Sequence, residues 1–317
     1  MVVGRFAPSP SGPLHLGNLR TAALAWCAAR SVGGGFLVRM EDLTTGAAAT
    51  EEAGQLRDLA ALGLDHDGPV VRQSERTDRY DRALEQLVEA DLTYECFCSR
   101  REVRDAAAAP HGDDAAAAPH GDDAAAAPHG DGADGAYPGT CRELSASERA
   151  ARRSTGRLPA LRLRASGRTV SVTDRRCGRL DATVDDIVVR RADGVAAYHL
   201  AVVVDDAAQG VTQVVRGDDL WPSTPAQVLL QELLGLPTPG YLHVPLVLGP
   251  DGRRLAKRHG SVTLADRVAA GEHPTQVLGA LAASLGWASP GEALDASQLL
   301  GRFDVDGLPP GPTVWSG

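Results

Sequence analysis

Along the chain, short apolar runs alternate with stretches of helical spacing, and that alternation predicts an α/β architecture. VVGRFA (2–7) has the composition of a short strand, LRTAALAWCAARSV (19–32) that of an amphipathic-to-buried helix, and FLVRM (36–40) that of an apolar strand. Helices are predicted over ATEEAGQLRDLAALG (49–63) and RTDRYDRALEQLVEADL (76–92). A strand, helix, strand order points to a parallel sheet. Between 158 and 191 the period changes. LPALRLRA and TVSVTDR alternate apolar with polar positions, as half-buried strands do, so a separate β-containing insertion is expected there. AAYHLAVVVDDAAQGVTQVVRG (196–217) returns to buried-strand composition and STPAQVLLQELLG (223–235) to helix. LADRVAAG (264–271) and PTQVLGALAASLG (274–286) read as helices, and the Pro/Gly-rich DGLPPGPTVWSG (306–317) as an extended end. The expected organisation is a core in two halves, 1–95 and 193–262, split by an insertion over 96–192 and followed by a helical segment, 263–317.

Composition alters this picture in one place. The net charge is −9, but residues 105–131 are three copies of DAAAAPHGD, with six Asp and no Lys or Arg, so the rest of the chain is close to balanced. The repeat offers no large apolar side chain to pack and reads as a disordered or loosely helical insert. Its three histidines suit weak metal binding or no chemistry at all. The 317 residues, 43% of them hydrophobic, suffice for a substantial core. MVVGRFAPSPSG lacks a signal-peptide pattern and no apolar run spans a bilayer, so the expected compartment is cytoplasmic, without a membrane partner. Five cysteines are few for a disulfide framework; free thiols or metal ligands are expected.

Two loops carry candidate chemistry. In RFAPSPSGPLHLGNLR (5–20) a strand ends in a Pro/Ser/Gly-rich loop leading into a helix that starts near Gly17 or Asn18. Free N–H groups at such a helix start attract an anion, and His15 adds a directional donor. The other reading is a loop that merely turns. The second loop, GPDGRRLAKRHGS (249–261), contains Lys257, the single lysine against 31 arginines. A compact ammonium on a flexible stem follows a phosphate as its charge shifts; a lysine retained by chance is the alternative.

These two stretches resemble the paired signatures of the class I aminoacyl-tRNA synthetases, with His15-Leu16-Gly17-Asn18 at the first and Leu255-Ala256-Lys257-Arg258 at the second. RFAPSPSGPLHLGNLRTA, VRMEDL, QSERTDRY, YECFCSRRE and VVRGDDL resemble the glutamyl branch. Asn18 and Ala256 depart from its usual His and Ser. Only 60 residues follow Lys257, which with the CxC pair resembles the glutamyl-queuosine tRNA(Asp) synthetases, short members without an anticodon-binding domain. The resemblance implies a Rossmann-like catalytic core that activates glutamate with ATP and Mg²⁺ and passes it to the queuosine base in the anticodon loop of tRNA(Asp), as a monomer. The alternatives are a truncated glutamyl-tRNA synthetase charging the 3′ end of tRNA(Glu) and a non-catalytic glutamate- or nucleotide-binding regulator. By the same resemblance His15 and Lys257 are catalytic, with Gly17 and Asn18 completing the ATP site. Arg5, Phe6, Ala7, Pro8, Ser9, Glu41, Tyr198 and Arg216 form the glutamate site. Cys96, Cys98, Tyr137 and Cys141 match zinc ligands, against merely reduced thiols. Ten arginines between 149 and 179 form either an RNA-facing surface or a solvated strand face.

Overall fold

The computed structural model describes residues 1–43, 49–107, 137–253, 255 and 262–315. The DAAAAPHGD repeats beyond Ala107 and Lys257 lie outside the described residues. In chain order the elements are β1 (Val3–Phe6), α1 (Leu16–Arg30), β2 (Gly35–Met40), α2 (Ala49–Ala61), β3 (Val71–Arg72), α3 (Thr77–Glu89), β4 (Thr93–Cys96), α4 (Arg100–Ala107), α5 (Ala146–Ser154), β5 (Ala160–Leu163), β6 (Thr169–Asp174), β7 (Gly178–Thr183), β8 (Val188–Arg190), α6 (Tyr198–Ala208), β9 (Gln213–Gly217), α7 (Thr224–Leu234), β10 (Gly240–Val244), β11 (Val247–Leu248), α8 (Leu264–Ala269), α9 (Pro274–Ala283), α10 (Ala296–Gly301) and β12 (Thr313–Val314).

The main sheet has the order β3-β2-β1-β9-β10-β6-β7 and is parallel except at its β6/β7 edge. One face carries α1, α2 and the C-terminal helices over Phe36, Val38 and Val215; the other carries α3, α6 and α7 over Leu37, Val214 and Tyr241. Helices on both faces explain why neither side of the central strands faces solvent. The alanine-rich α1 buries eleven of its fifteen residues, since small side chains let its backbone lie close to the sheet: a Cβ on Gly4 of β1 would come within 3.1 Å of Ala29. Strand order reverses between β1 and β9, and such a switch point opens a crevice beyond the strands' carboxyl ends.

Two local expectations are corrected and a third is extended. Tyr198–Ala208, read as buried strand, is helix α6: eight of its eleven residues are buried, and a continuous apolar run does not distinguish a buried helix from a buried strand by period alone. The β-containing stretch 158–191 is not one separate unit. β4, β5 and β8 form a three-stranded antiparallel sheet, whereas the β6–β7 hairpin extends the main sheet by pairing Asp174 with Tyr241. The C-terminal end is extended but docked: β12 pairs in parallel with β11, Trp315 is 9% exposed, and Arg20 of α1 donates to the Thr313 hydroxyl and, at 2.6 Å, to Pro245 O. Since this end completes the core over α1, Trp315→Ala is expected to cost about 3 kcal/mol, read as a lower urea midpoint at unchanged slope.

Candidate active site

The loop after β1 is built around the start of α1. His15 is the N-cap: its Nδ1 accepts the Asn18 N–H at 3.3 Å, and Asn18 Oδ1 accepts the His15 N–H at 3.3 Å. With Nδ1 accepting, a neutral His15 ring carries its proton on Nε2, where it can donate to an anion. The Asn18 backbone N–H thus orients the imidazole, and the Asn18 side chain, the departure from the usual signature, caps the His15 backbone N–H. Gly17 is needed because a Cβ there would sit 3.1 Å from that ring. Gln55 of α2 holds the loop from behind, donating to Ser9 O and Gly12 O at 3.0 and 2.8 Å. The second loop is anchored at both ends beside the first: Leu255 N donates to Val247 O, Leu16 N donates to Val262 O at 2.7 Å, and Thr263 bridges His15.

Arg5, Phe6, Ala7, Pro8, Ser9, His15, Gly17, Asn18, Glu41, Tyr198 and Arg216 all line one cavity of about 360 Å³ at the switch point. Its charges are held by a buried lattice. Asp206 at the end of α6 accepts from Arg5 at 3.2 Å and from Arg39 at 2.7 Å, and Arg39 reaches Glu41 at 3.2 Å. Burial opposes the charge on Arg39, but Asp206, Glu41 and Asp205 together raise its pKa; burial likewise opposes Asp206, whose carboxyl Arg5 and Arg39 hold below the usual range. Asp205 accepts from Gln73, Arg76 and Tyr80, tying α3 to the same point.

Arg216 differs. It is 5% exposed, and its partners are neutral: Nε donates to His243 Nε2 at 3.0 Å, and the two terminal nitrogens donate to Gln227 Oε1 and Thr224 Oγ1, each at 2.8 Å. Among the described residues no carboxylate pairs with it. The Ser9 hydroxyl, also buried, has no hydrogen-bond partner among the described residues. A cavity lined by a buried cation and an unmet hydroxyl is shaped for a polar, anionic ligand.

A second constellation lies in the small antiparallel sheet and its flanking turns. Cys96, Cys98 and Cys141 place their sulfurs within 4.8 Å of one another, with Cys98 and Cys141 at 3.6 Å. The Tyr137 hydroxyl is 3.4 Å from Cys96 Sγ and 4.0 Å from Cys98 Sγ. The Arg162 guanidinium lies 3.9 Å from the centre of the Tyr137 ring. Hydrogen bonding from Cys98 lowers the pKa of the Cys96 thiol and favours its thiolate, while the same contact raises Cys98. The donor set fits a metal. Cys27, by contrast, is fully buried, and burial pushes its thiol up to about 12, as expected of a structural residue.

A family model described as tRNA synthetases class I (E and Q), catalytic domain, matches residues 1–306. The chain belongs to this family. As a class I synthetase it is 55% identical to the glutamyl-Q tRNA(Asp) synthetase of Nocardia farcinica, over 98% of this chain and 92% of that protein. It is 45% identical to the one of Symbiobacterium thermophilum, over 98% and 95%. Among solved structures, a glutamate tRNA ligase from Elizabethkingia meningosepticum in complex with its amino acid superposes with a TM-score of 0.77 at 27% identity, covering 99% of this chain and 67% of that one.

Sequence reasoning missed the residues that hold the synthetase's site from behind: Arg39, Gln55, Asp205, Asp206, Thr224, Gln227 and His243. The one available signal was an acidic pair inside the apolar run of α6, since buried carboxylates require partners. Of the ten arginines between 149 and 179, five pair with carboxylates: Arg153 with Glu95, Arg157 with Glu102, Arg164 with Glu143, Arg176 with Asp218 and Arg179 with Asp181. That leaves less positive charge for a phosphate backbone than the count suggests.

Two outcomes are expected. Arg39→Leu leaves buried carboxylates without their common cation and lowers stability by about 3–5 kcal/mol, measured by urea unfolding. Elemental analysis of the purified chain is expected to find one divalent metal ion per molecule, lost in Cys141→Ser together with a fall in melting temperature.

Proposed function

We propose that the chain activates glutamate with ATP and transfers the glutamyl group to the queuosine base in the anticodon loop of tRNA(Asp). The carrying observation is Arg216. An arginine has five N–H donors; three are used on His243, Gln227 and Thr224, which leaves one on each terminal nitrogen. That pair is what a carboxylate accepts in a bidentate fork, and a carboxamide cannot supply the matching charge. A buried guanidinium with neutral partners is completed by an anion, because unpaired burial costs several kcal/mol.

In this reading Arg216, with Arg5 beside it, holds the substrate side-chain carboxylate. Glu41 takes the α-ammonium, Tyr198 adds a hydroxyl contact, and the segment Phe6–Ser9 lines the pocket. An α-carboxylate oxygen attacks the α-phosphorus of ATP, the bond to the bridging oxygen breaks, and pyrophosphate leaves. No protein nucleophile is required, so rate comes from alignment and charge stabilisation. His15 donates from Nε2 to a phosphate oxygen, and Lys257, in the segment between the anchored Leu255 and Val262, steadies the leaving pyrophosphate. Mg²⁺ bound with ATP supplies further countercharge. In the second step a hydroxyl of the queuosine cyclopentene ring bonds to the activated carbonyl carbon and AMP departs, the hydroxyl proton passing to solvent. The identity of 55% and 45% to glutamyl-Q tRNA(Asp) synthetases supports this acceptor over the 3′ end of tRNA(Glu). Zinc held by Cys96, Cys98 and Cys141, with the Tyr137 oxygen as fourth ligand, would serve structure rather than catalysis.

The test pairs two measurements. Glutamate-dependent ATP–pyrophosphate exchange is expected in the unsubstituted chain, with glutamine inactive, and Arg216→Leu is expected to reduce kcat/KM for glutamate by about 100-fold or more. Labelled glutamate is expected on queuosine-containing tRNA(Asp) lacking its 3′-terminal adenosine and not on the same tRNA without queuosine. Label that follows the 3′ adenosine instead overturns the assignment.

A further inference from the structure

Arg216 and two buried polar side chains behind it, each from a separate strand, form a chain of contacts. Asp174, the last residue of β6, has Oδ2 2.7 Å from Nδ1 of His243 in β10, and His243 Nε2 lies 3.0 Å from Nε of Arg216 in β9. Each of the three is 5% exposed or less. Arg216 Nε carries a hydrogen and no lone pair, so the contact requires an acceptor at His243 Nε2. A neutral imidazole has one protonated nitrogen, which must then be Nδ1, donating to Asp174. Burial favours that neutral ring: it pushes His243 down to about 4 despite the opposing hydrogen bond to Asp174. Asp174 stays ionised. Burial works against its charge, but hydrogen bonds from His243 and from the Cys177 and Arg176 N–H groups hold its carboxyl below the ordinary range.

We infer that Asp174 and His243 are positioning residues for the amino-acid substrate: Asp174 selects the Nδ1–H tautomer of His243, and the Nε2 lone pair this leaves orients the Arg216 guanidinium for a carboxylate. The inference rests on the reading of Arg216 as the ligand of the substrate side chain. It gives the β6–β7 hairpin, which joins the main sheet through Asp174, a part in recognition from outside the cavity.

The decisive variant is Asp174→Asn. Asp174 Oδ1 accepts the backbone N–H groups of Arg176 and Cys177, and Oδ2 accepts that of His243 as well as the ring. An amide that keeps its oxygen on the turn N–H groups turns its nitrogen toward Nδ1, which forces the proton to Nε2 and sets two donors face to face at Arg216. The expected result is a rise of about 10- to 100-fold in KM for glutamate with KM for ATP unchanged, and a change of the His243 ¹⁵N spectrum from the Nδ1–H to the Nε2–H pattern. His243→Gln puts an amide oxygen near the Nε2 position, an acceptor that does not depend on residue 174. In that background Asp174→Asn is expected to leave KM for glutamate unmoved, a non-additive cycle. Additive effects, or a KM for ATP that rises in step, would mean that Asp174 only supports the turn and would overturn the inference. So would an Nε2–H tautomer in the unsubstituted protein, a measurement that needs no variant to fold. If the unsubstituted protein shows no glutamate-dependent exchange, the functional reading fails. The tautomer spectra, which need no substrate, still decide whether Asp174 governs the imidazole.

Discussion

Asp206 is the point on which the site's charges depend. One carboxylate at the end of α6 is shared by Arg5 from β1 and Arg39 from β2, and Arg39 in turn holds Glu41 just past β2. Three neighbouring elements are therefore locked in register by ion pairs that solvent does not screen. Such pairs contribute little net stability compared with apolar packing, but removing one member is costly, and this makes the arrangement specific. The consequence for recognition is an asymmetry. Arg5 is matched by an acid of the protein, and Arg216, on the neighbouring strand β9, is surrounded by neutral groups. The cavity consequently presents its unbalanced positive charge at one place.

Topology explains why that place is where chemistry can occur. The reversal of strand order between β1 and β9 leaves a crevice that no crossover helix covers. The start of α1 lies at the crevice, with His15 held by Asn18 at its rim. The two described ends of the second loop come to the same rim, Leu255 tied to β11 and Val262 to Leu16. Positions some 240 residues apart in sequence thus become neighbours through a few backbone hydrogen bonds. The docked C-terminal end reinforces this, since β12 lies against β11 and Arg20 of α1 bonds to both sides of the contact.

The cysteine cluster belongs to a different physical regime. The small antiparallel sheet sends Leu161, Leu163 and Val189 into the neighbouring core, and the separate cluster around Cys96 is small, chiefly Tyr94, Phe97, Val103, Tyr137 and the thiols themselves. A metal held by those thiolates would do for this cluster what hydrophobic burial does for the main sheet. The cluster and the substrate cavity are served by adjacent residues of α6: His199 lines a second cavity, of about 620 Å³, which also borders Cys96 and Cys98, while Tyr198 lines the first.

The α/β class and the two candidate loops around His15 and Lys257 were legible in the sequence as local patterns of period and turn chemistry. The set Cys96, Cys98, Tyr137 and Cys141 came from family resemblance, and the structure brings these four side chains together. The sequence did not determine that YHLAVVVDDAA is a helix, because a segment buried on all sides loses the polar face that distinguishes period 3.6 from period 2. Nor could it show that the 169–183 hairpin completes the main sheet, or that Trp315 returns to α1, since both depend on partners more than 60 residues away. Asp174 and His243 were unreadable for the same reason, and Asp206 showed only as half of an acidic pair in an apolar run. A buried charge has meaning only through the group it meets, and the folded chain alone decides which group that is.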